Sequence, residues 1–467
     1  MPSLCHICRL LSPLLLLAAA LLQLPAAAAA GMSMTIEQHQ LANGLRVIVK
    51  EDHRAPVVVS MVWYRVGSID EENGTTGISH ALEHMMFKGT RQVPAGEFSR
   101  LVAAAGGREN AFTDRDYTSF HQQLQKSRLP LAFRLEADRM QNLTLSPQEY
   151  AKEIRVVMEE RRMRTDDQPE ARVQESLMAT AFTSSPYRVP VIGWMNDIQN
   201  MTVGDVRDWY RRWYAPNNAI IVVVGDVKAP EVFALAEKYF GAIKPKLLPE
   251  RKPQEEPSQE GIRRVVVKAP AELPYLMMAW RTPWLHDLDK EWEPYALDVL
   301  SEILDGNEAA RLNSTLVRNE RIATSIGVSY DDTLRGPALF IVSGTPASGK
   351  TVADLEQGIR REIARIAADG ISDEELKRVK AQLVASQVYQ RDSMFFQALQ
   401  IGSLASDGYP ADGVDLILQK LRQVTAAQVQ QVANKYFNDD GLTVATLDPQ
   451  PLNGRRLAPP MEMDHVR

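Results

Sequence analysis

Hydrophobic positions alternate between two periods along the chain. Leu45 to Lys50 and Val57 to Arg65 are apolar runs with strand character, separated by Glu51-Asp52-His53-Arg54-Ala55-Pro56, which predicts a hairpin or a short connection. Helical spacing starts at about Gly77 and again from Gly96 to Ala105, and a long helical region is predicted from about Ser127 to Arg164. Further on, Arg264 to Ala269, Tyr275 to Trp280 and Leu339 to Ser343 read as strands. Trp292 to Leu304 and Val352 to Ala368 read as helices. Short strands followed by long helices predict α+β layers.

The pattern occurs twice. Thr202-Val-Gly-Asp-Val206 leads through Trp213-Tyr214 to Asn217-Asn218 and the apolar run Ala219 to Val224. Thr425-Ala-Ala-Gln-Val429 leads, 223 residues later, through Tyr436-Phe437 to Asp439-Asp440-Gly441 and Leu442 to Leu447. Each copy predicts a Thr-capped helix, a turn and a strand. Between them Gly241 to Arg264 carries Pro245, Pro249, Pro253 and Pro257 without either period, so it reads as a linker. The expected fold class is α+β: two homologous halves, each a mainly antiparallel sheet backed by helices. The expected segments are a signal peptide at 1–30, an N-terminal domain at 31–243, the linker at 244–261, a C-terminal domain at 262–452 and a tail at 453–467.

Composition narrows the class. The 467 residues are 45% hydrophobic and 24% charged, which excludes a disordered chain and fits two or more domains. With 53 Lys and Arg against 59 Asp and Glu, net charge −6, no surface for gripping nucleic-acid phosphates is expected. Leu10 to Ala30 is an apolar run preceded by Arg9, interrupted by Pro13 and Pro25 and ending in Ala26 to Ala30, as a cleaved secretory signal does. Both cysteines, Cys5 and Cys8, fall inside it, so the exported chain would hold no disulfide. The expected location is the periplasm, with no membrane span after cleavage.

Candidate chemistry concentrates in Gly77-Ile-Ser-His80-Ala-Leu-Glu83-His84-Met-Met-Phe87. On a helix His80 and His84 lie one turn apart and reach toward one point, with Glu83 on the adjoining flank. Two neutral nitrogens and a base suit a catalytic Zn²⁺ with an open position for water. The order His-x-x-Glu-His is the inverse of the commoner zinc motif. A third ligand is expected from a carboxylate on another helix, and Glu153, Glu159 and Glu160 are available. Glu153 and Glu160, seven apart, share a face, and spacing does not choose between them. Glu159 points about 100° away and belongs to a solvated face with Arg155, Arg161, Arg162 and Arg164. Met85-Met86 is expected to fill core.

These residues resemble the pitrilysin/insulinase family of zinc peptidases, and most nearly its short members, which include the mitochondrial processing peptidase subunits. The resemblance covers about residues 36 to 450 and rests on His80-x-x-Glu83-His84 followed after 75 residues by Glu160. It implies His80, His84 and Glu160 as ligands of one Zn²⁺ per chain, Glu83 as general base and Glu153 as a supporting carboxylate. It also implies a clamshell of two halves around a chamber for unfolded peptides. Asn110-Ala111-Phe112, after Gly106-Gly107, matches the segment that pairs with substrate backbone as an added strand. The family completes its site with an Arg and, seven residues on, a Tyr from the second half. Here Arg318 is kept and Ser325 stands in the tyrosine's place, while Tyr330 comes five residues too late. A serine hydroxyl falls short of where a phenol reaches. The expected partner is therefore a second subunit in a dimer, homo- or hetero-oligomeric, with a related chain supplying the Arg and Tyr. A peptide-holding subunit without catalysis is the alternative.

Gly344-Thr-Pro-Ala-Ser-Gly349-Lys350-Thr351 matches the phosphate-binding loop pattern. Pro346 removes one backbone N–H that such a loop needs, and an exported chain meets little ATP, so the expectation is a surface turn.

Overall fold

The computed structural model describes residues 35–452 and Gly454. The predicted signal segment, both cysteines and, Gly454 apart, the tail lie outside the described residues. The first half runs β1 (Ile36–Gln40), β2 (Arg46–Glu51), β3 (Val57–Tyr64), α1 (Ile78–Met85), α2 (Glu97–Ala104), β4 (Arg108–Thr113), β5 (Thr118–Gln125), α3 (Leu129–Asn142), α4 (Pro147–Arg161), α5 (Pro169–Ala181), α6 (Met195–Asn200), α7 (Val203–Trp213), β6 (Ala219–Gly225) and α8 (Ala229–Phe240). The second half runs β7 (Arg263–Pro270), β8 (Tyr275–Thr282), α9 (Glu293–Asp305), β9 (Ala323–Ser329), β10 (Ala338–Pro346), α10 (Val352–Asp369), α11 (Asp373–Gln390), α12 (Met394–Asp407), α13 (Gly413–Gln423), α14 (Ala426–Tyr436) and β11 (Leu442–Gln450).

Each half builds one mainly antiparallel sheet, ordered β1-β2-β6-β3-β5-β4 and β7-β11-β8-β10-β9. The sequence repeat is a repeat of topology. Thr202 and Thr425 both form capping boxes, with Asp205 and Gln428, at the starts of α7 and α14. The strands that follow, β6 and β11, enter their sheets alike: parallel to one neighbour (β2 or β7) and antiparallel to the other (β3 or β8). Of the two readings of residues 51–56, the short connection holds and the β2–β3 hairpin does not. Every residue of β6 is buried, so the strand needs neighbours on both edges and takes the place between β2 and β3. The connection from Glu51 to Pro56 passes over its end, where Asp52 N–H donates to Gly225 O at 2.8 Å.

The long helical region also divides. Ser146 caps α4 and Pro147 occupies its first turn, which stops α3 at Asn142, and Leu145 adopts φ 44° in the turn between them.

One face of each sheet is covered by helices of its own half. The other face is covered by a helix from the opposite half. From the second half α12 lays Met394, Ala398, Ile401 and Ala405 on Ile48, Val59, Met61, Trp63 and Val222. From the first half α5 lays Val173, Leu177 and Ala181 on Val267, Met277, Ala279 and Leu447. The linker is fastened too. Glu256 accepts the backbone N–H groups of Thr183, Ser184 and Ser185 at 2.6–2.8 Å and pairs with Arg281 at 2.8 Å. At another edge Arg335 pairs with Asp70 at 3.0 Å, and its own N–H donates to Asp116. Opening the halves about the Pro-rich segment would expose two apolar faces, so the tether is a strap across an interlock and not a free hinge.

The interlock is tightest where Gly402 of α12 lies on the Trp63 indole, and a Cβ there would overlap the ring. Gly402→Val is expected to destabilise the protein by about 1–3 kcal/mol through overpacking. An unchanged urea unfolding midpoint would refute that close contact.

Candidate metal centre

The start of α1 is seated by two carboxylates. Glu71 accepts from Gly77 N–H at 2.7 Å and Ser79 N–H at 2.9 Å. Asp197, from α6, accepts from Gly74 N–H, Thr76 N–H and the Thr76 hydroxyl at 2.7–3.2 Å. Burial pushes Glu71 up to about 7, against the N–H groups of Ser79 and Gly77, which favour its charged form. Gly77 has φ 83°, and a Cβ on it would overlap Ile192 O, so glycine is required. Ile78, Ala81, Leu82 and Met85 then bury one face of α1, and Met85 and Met86 are core as expected.

The opposite face carries the histidines, whose ring centroids are 4.7 Å apart. Both face α4. His84 Nε2 lies 3.3 Å from Glu160 Oε2, and His80 Nε2 lies 3.7 Å from Glu160 Oε1. One donor atom from each of these three residues falls within 4.8 Å of the others. Glu153 takes a different place: its Oε1 meets His84 Nδ1, the far side of the ring, at 3.1 Å, and its Oε2 meets Lys88 at 2.6 Å. Geometry thus separates the two carboxylates that spacing left equivalent. Glu159 is exposed and pairs with Arg162, as a solvated residue does. Arg161 departs from the expected solvated face: it is buried against Glu175.

The electrostatics are those of a charged group set into partly buried ground. Burial and the neighbouring His84 pull His80 down to about 3. Burial pulls His84 the same way, but the hydrogen bonds its ring donates to Glu153 and Glu160 outweigh it and hold the ring up at about 9. Burial would raise Glu160, yet its bond to His84 and both imidazoles hold it near 2. Glu83 is buried and raised by desolvation, against the opposing hydrogen bond that the Thr113 hydroxyl donates to its Oε2 at 2.6 Å. Two imidazole nitrogens and one carboxylate fit a tetrahedral zinc site with an open fourth position. The backing of His84 by Glu153 is the outer contact that such ligands use to fix ring orientation.

β4 is an edge strand, paired with β5 alone, and Asn110, Ala111 and Phe112 sit opposite His121, Phe120 and Ser119. Its end, Thr113, is the residue that touches Glu83. Ala111 N–H is taken by the Asn110 side-chain oxygen at 2.9 Å. The Phe112 ring packs edge-on against Trp63, at 5.5 Å between centroids. Arg318 is exposed on the π-helical turn Asn313–Asn319, which packs on β9 and α10 of its own half. Ser325 is exposed on β9, the edge strand that corresponds to β4. Tyr330 is engaged elsewhere, donating to Pro283 O at 2.6 Å. The phosphate-loop match is divided between β10, which holds Gly344 to Pro346 in its ladder with β9, and the cap of α10. There Thr351 and Asp354 form a capping box, so a carboxylate already occupies the helix start.

A protein-family model described as Insulinase (Peptidase family M16) matches residues 46–193, and one described as Peptidase M16 inactive domain matches residues 200–383. A protein of Helicobacter pylori named zinc protease PqqE is 33% identical over 88% of this chain and 93% of its own length. This chain belongs to peptidase family M16. A crystal structure of a protease from Helicobacter pylori superposes with a TM-score of 0.84 at 30% identity, covering 89% of this chain and all of the other. The periplasmic protease PqqL from Escherichia coli shares the fold, with a TM-score of 0.76 at 19% identity, and the match covers 89% of this chain but 48% of PqqL. An Arabidopsis thaliana protein named as a probable mitochondrial-processing peptidase subunit beta is 26% identical over 88% of this M16 chain and 77% of its own length.

Four residues in contact with the centre escaped the sequence: Glu71, Lys88, Thr113 and Asp197. Lys88 follows His84 by four residues, just past the end of α1, so its nearness along the chain could have found it. Nothing local signals Thr113, 30 residues from Glu83, or Asp197, more than 120 residues from the turn that it holds.

Asp197 yields a pH-dependent expectation. Burial pushes its carboxyl up, but hydrogen bonds from Thr76 and Gly74 outweigh this and keep it below 3.8. Its contribution is complete above that unfolded value and is lost as pH falls through the lower folded one. Asp197→Ala should cost about 1–3 kcal/mol at neutral pH, with the deficit shrinking below about pH 4. Urea midpoints measured across that range test it, and a deficit independent of pH would count against it.

Proposed function

We propose that this M16 chain is an exported zinc endopeptidase acting on unfolded peptides. The observation that carries the reading is the convergence of His80 Nε2, His84 Nε2 and a Glu160 carboxylate oxygen, with the buried Glu83 on the adjoining flank. These three residues would hold one Zn²⁺ per chain. When bound, the ion supplies Lewis acidity for a coordinated water and for the substrate carbonyl. Glu83 takes a proton from the attacking water and returns it to the leaving amine. Thr113 holds Oε2 of Glu83, which leaves Oε1 for the proton. Glu153 fixes His84 from behind with Lys88.

Unfolded substrate is supported by the edge of β4. An extended peptide adding to Asn110, Ala111 and Phe112 is read through its main chain, and Ala111 N–H must exchange Asn110 Oδ1 for a peptide carbonyl. Phe112 contributes backbone while its ring stays in the interlock. Export is supported by the apolar run Leu10 to Ala30 and by the periplasmic relative. Among the described residues no helix is long and apolar enough to cross a membrane.

A second reading, a peptide-holding subunit without catalysis, is favoured by Ser325. It also accords with the inactive-domain model that matches the second half. The reading that reconciles both is a zinc half-site completed by a related subunit carrying Arg and Tyr. PqqL, of which this fold covers about half, supports a paired arrangement.

Glu83→Gln should retain zinc and lower peptide hydrolysis about 10²–10⁴-fold. Removing the metal with 1,10-phenanthroline should abolish turnover, and added zinc should restore it. Wild-type protein that cleaves peptide equally well without metal would overturn the reading. Purified homogeneous chain is expected to turn over an unfolded peptide slowly and to gain rate when the related subunit is added. Full rate from the lone chain would dispose of the second subunit.

A further inference from the structure

We infer that Arg161 is a positioning residue for the metal centre: held by Glu175, it fixes where Glu160 stands relative to His80 and His84. This rests on the zinc reading above. Arg161 follows Glu160 at the end of α4, yet its side chain is 5% exposed. The guanidinium pairs in two-pronged fashion with Glu175 of α5, at 2.8 and 3.1 Å, and donates to Gly193 O at 2.9 Å. Asp166 closes the group from the π-helical turn Arg162–Asp166, at 3.3 Å. Such turns, which insert a residue into the helical ladder, recur at functional sites.

Gly193 is the other end of the device. With φ 85° it lies so near Thr76 and Gly77 that a Cβ would overlap Thr76 O. Gly77 precedes α1, three residues before His80. A continuous path of packed atoms therefore runs from Glu160 through Arg161 and Gly193 to the start of the histidine helix. Its anchor, Glu175, belongs to the helix that crosses onto the second sheet. The packing of the halves and the spacing of the ligands are thereby joined. A planar guanidinium has the donors to satisfy Glu175 and Gly193 O together, whereas an ammonium on a flexible stem cannot keep both in place.

The test is zinc affinity, measured on the full chain by competition with a chelating indicator. Arg161→Lys and Arg161→Met are expected to weaken zinc binding about 10–100-fold, as loss of outer contacts to metal ligands does, and Glu175→Gln to weaken it less. Leu300→Ala, a cavity variant in the core of the second half, should lower the thermal midpoint and leave zinc affinity unchanged. Should the Arg161 variants fail to fold, Glu175→Gln decides. Affinities within twofold of wild type in whichever of these variants fold would overturn the inference while the zinc reading stands. Wild type that binds no zinc, or Glu160→Ala that binds it as tightly as wild type, would overturn the zinc reading and this inference with it.

Discussion

The contact of α1 with α4 is the constraint on which the rest of the structure depends. A helix eight residues long must bury one apolar face in the first core and present two imidazoles and a carboxylate on its other flanks. Alone it would be too short to hold its shape in water. It is held because its start is bound by Glu71 and Asp197, and because α4 stands opposite with Glu160 and Glu153 in register. The two carboxylates, seven residues apart, grip different nitrogens, and that division of labour makes a site out of two helices.

Around this contact the two halves exchange helices. The exchange explains why neither sheet has a bare apolar face and why the linker carries little of the burden of joining them. Among the described residues the second half holds no His/Cys/Asp/Glu group like that of His80, His84 and Glu160. In the topological repeat α9 follows β8 as α1 follows β3, and it carries the acids Asp298, Glu302 and Asp305. Burial and the nearby carboxylates of Glu302 and Asp331 push Asp298 up to about 7. The second half packs on the first through α12 and presents β9 as the counterpart of β4.

Much of this was legible along the chain because the signals were local. His80, Glu83 and His84 share a single turn, the Thr caps of α7 and α14 announce themselves within four residues, and the 223-residue offset exposes the repeat. The sequence left a hairpin and a short connection open between β2 and β3, because adjacency in sequence competes with a strand that arrives more than 150 residues later. That strand, apolar on both faces, can be buried on both only in the middle of the sheet. Arg161 misled because a charged residue in a run of charged residues looks solvated, and only its partner Glu175 decides otherwise.

By itself the sequence determined that His80, Glu83 and His84 share one helical turn, the α+β character of each half and the fact of duplication, since each depends on spacing within a few residues or on self-similarity. Tertiary structure decided which carboxylate faces Nε2 of both histidines, which strand divides β2 from β3 and which helices cross between the halves. Those choices depend on distances between segments far apart in the chain. They are set by the burial of apolar faces and by the directions in which a few hydrogen-bonding atoms point, and neither quantity can be read from residue order.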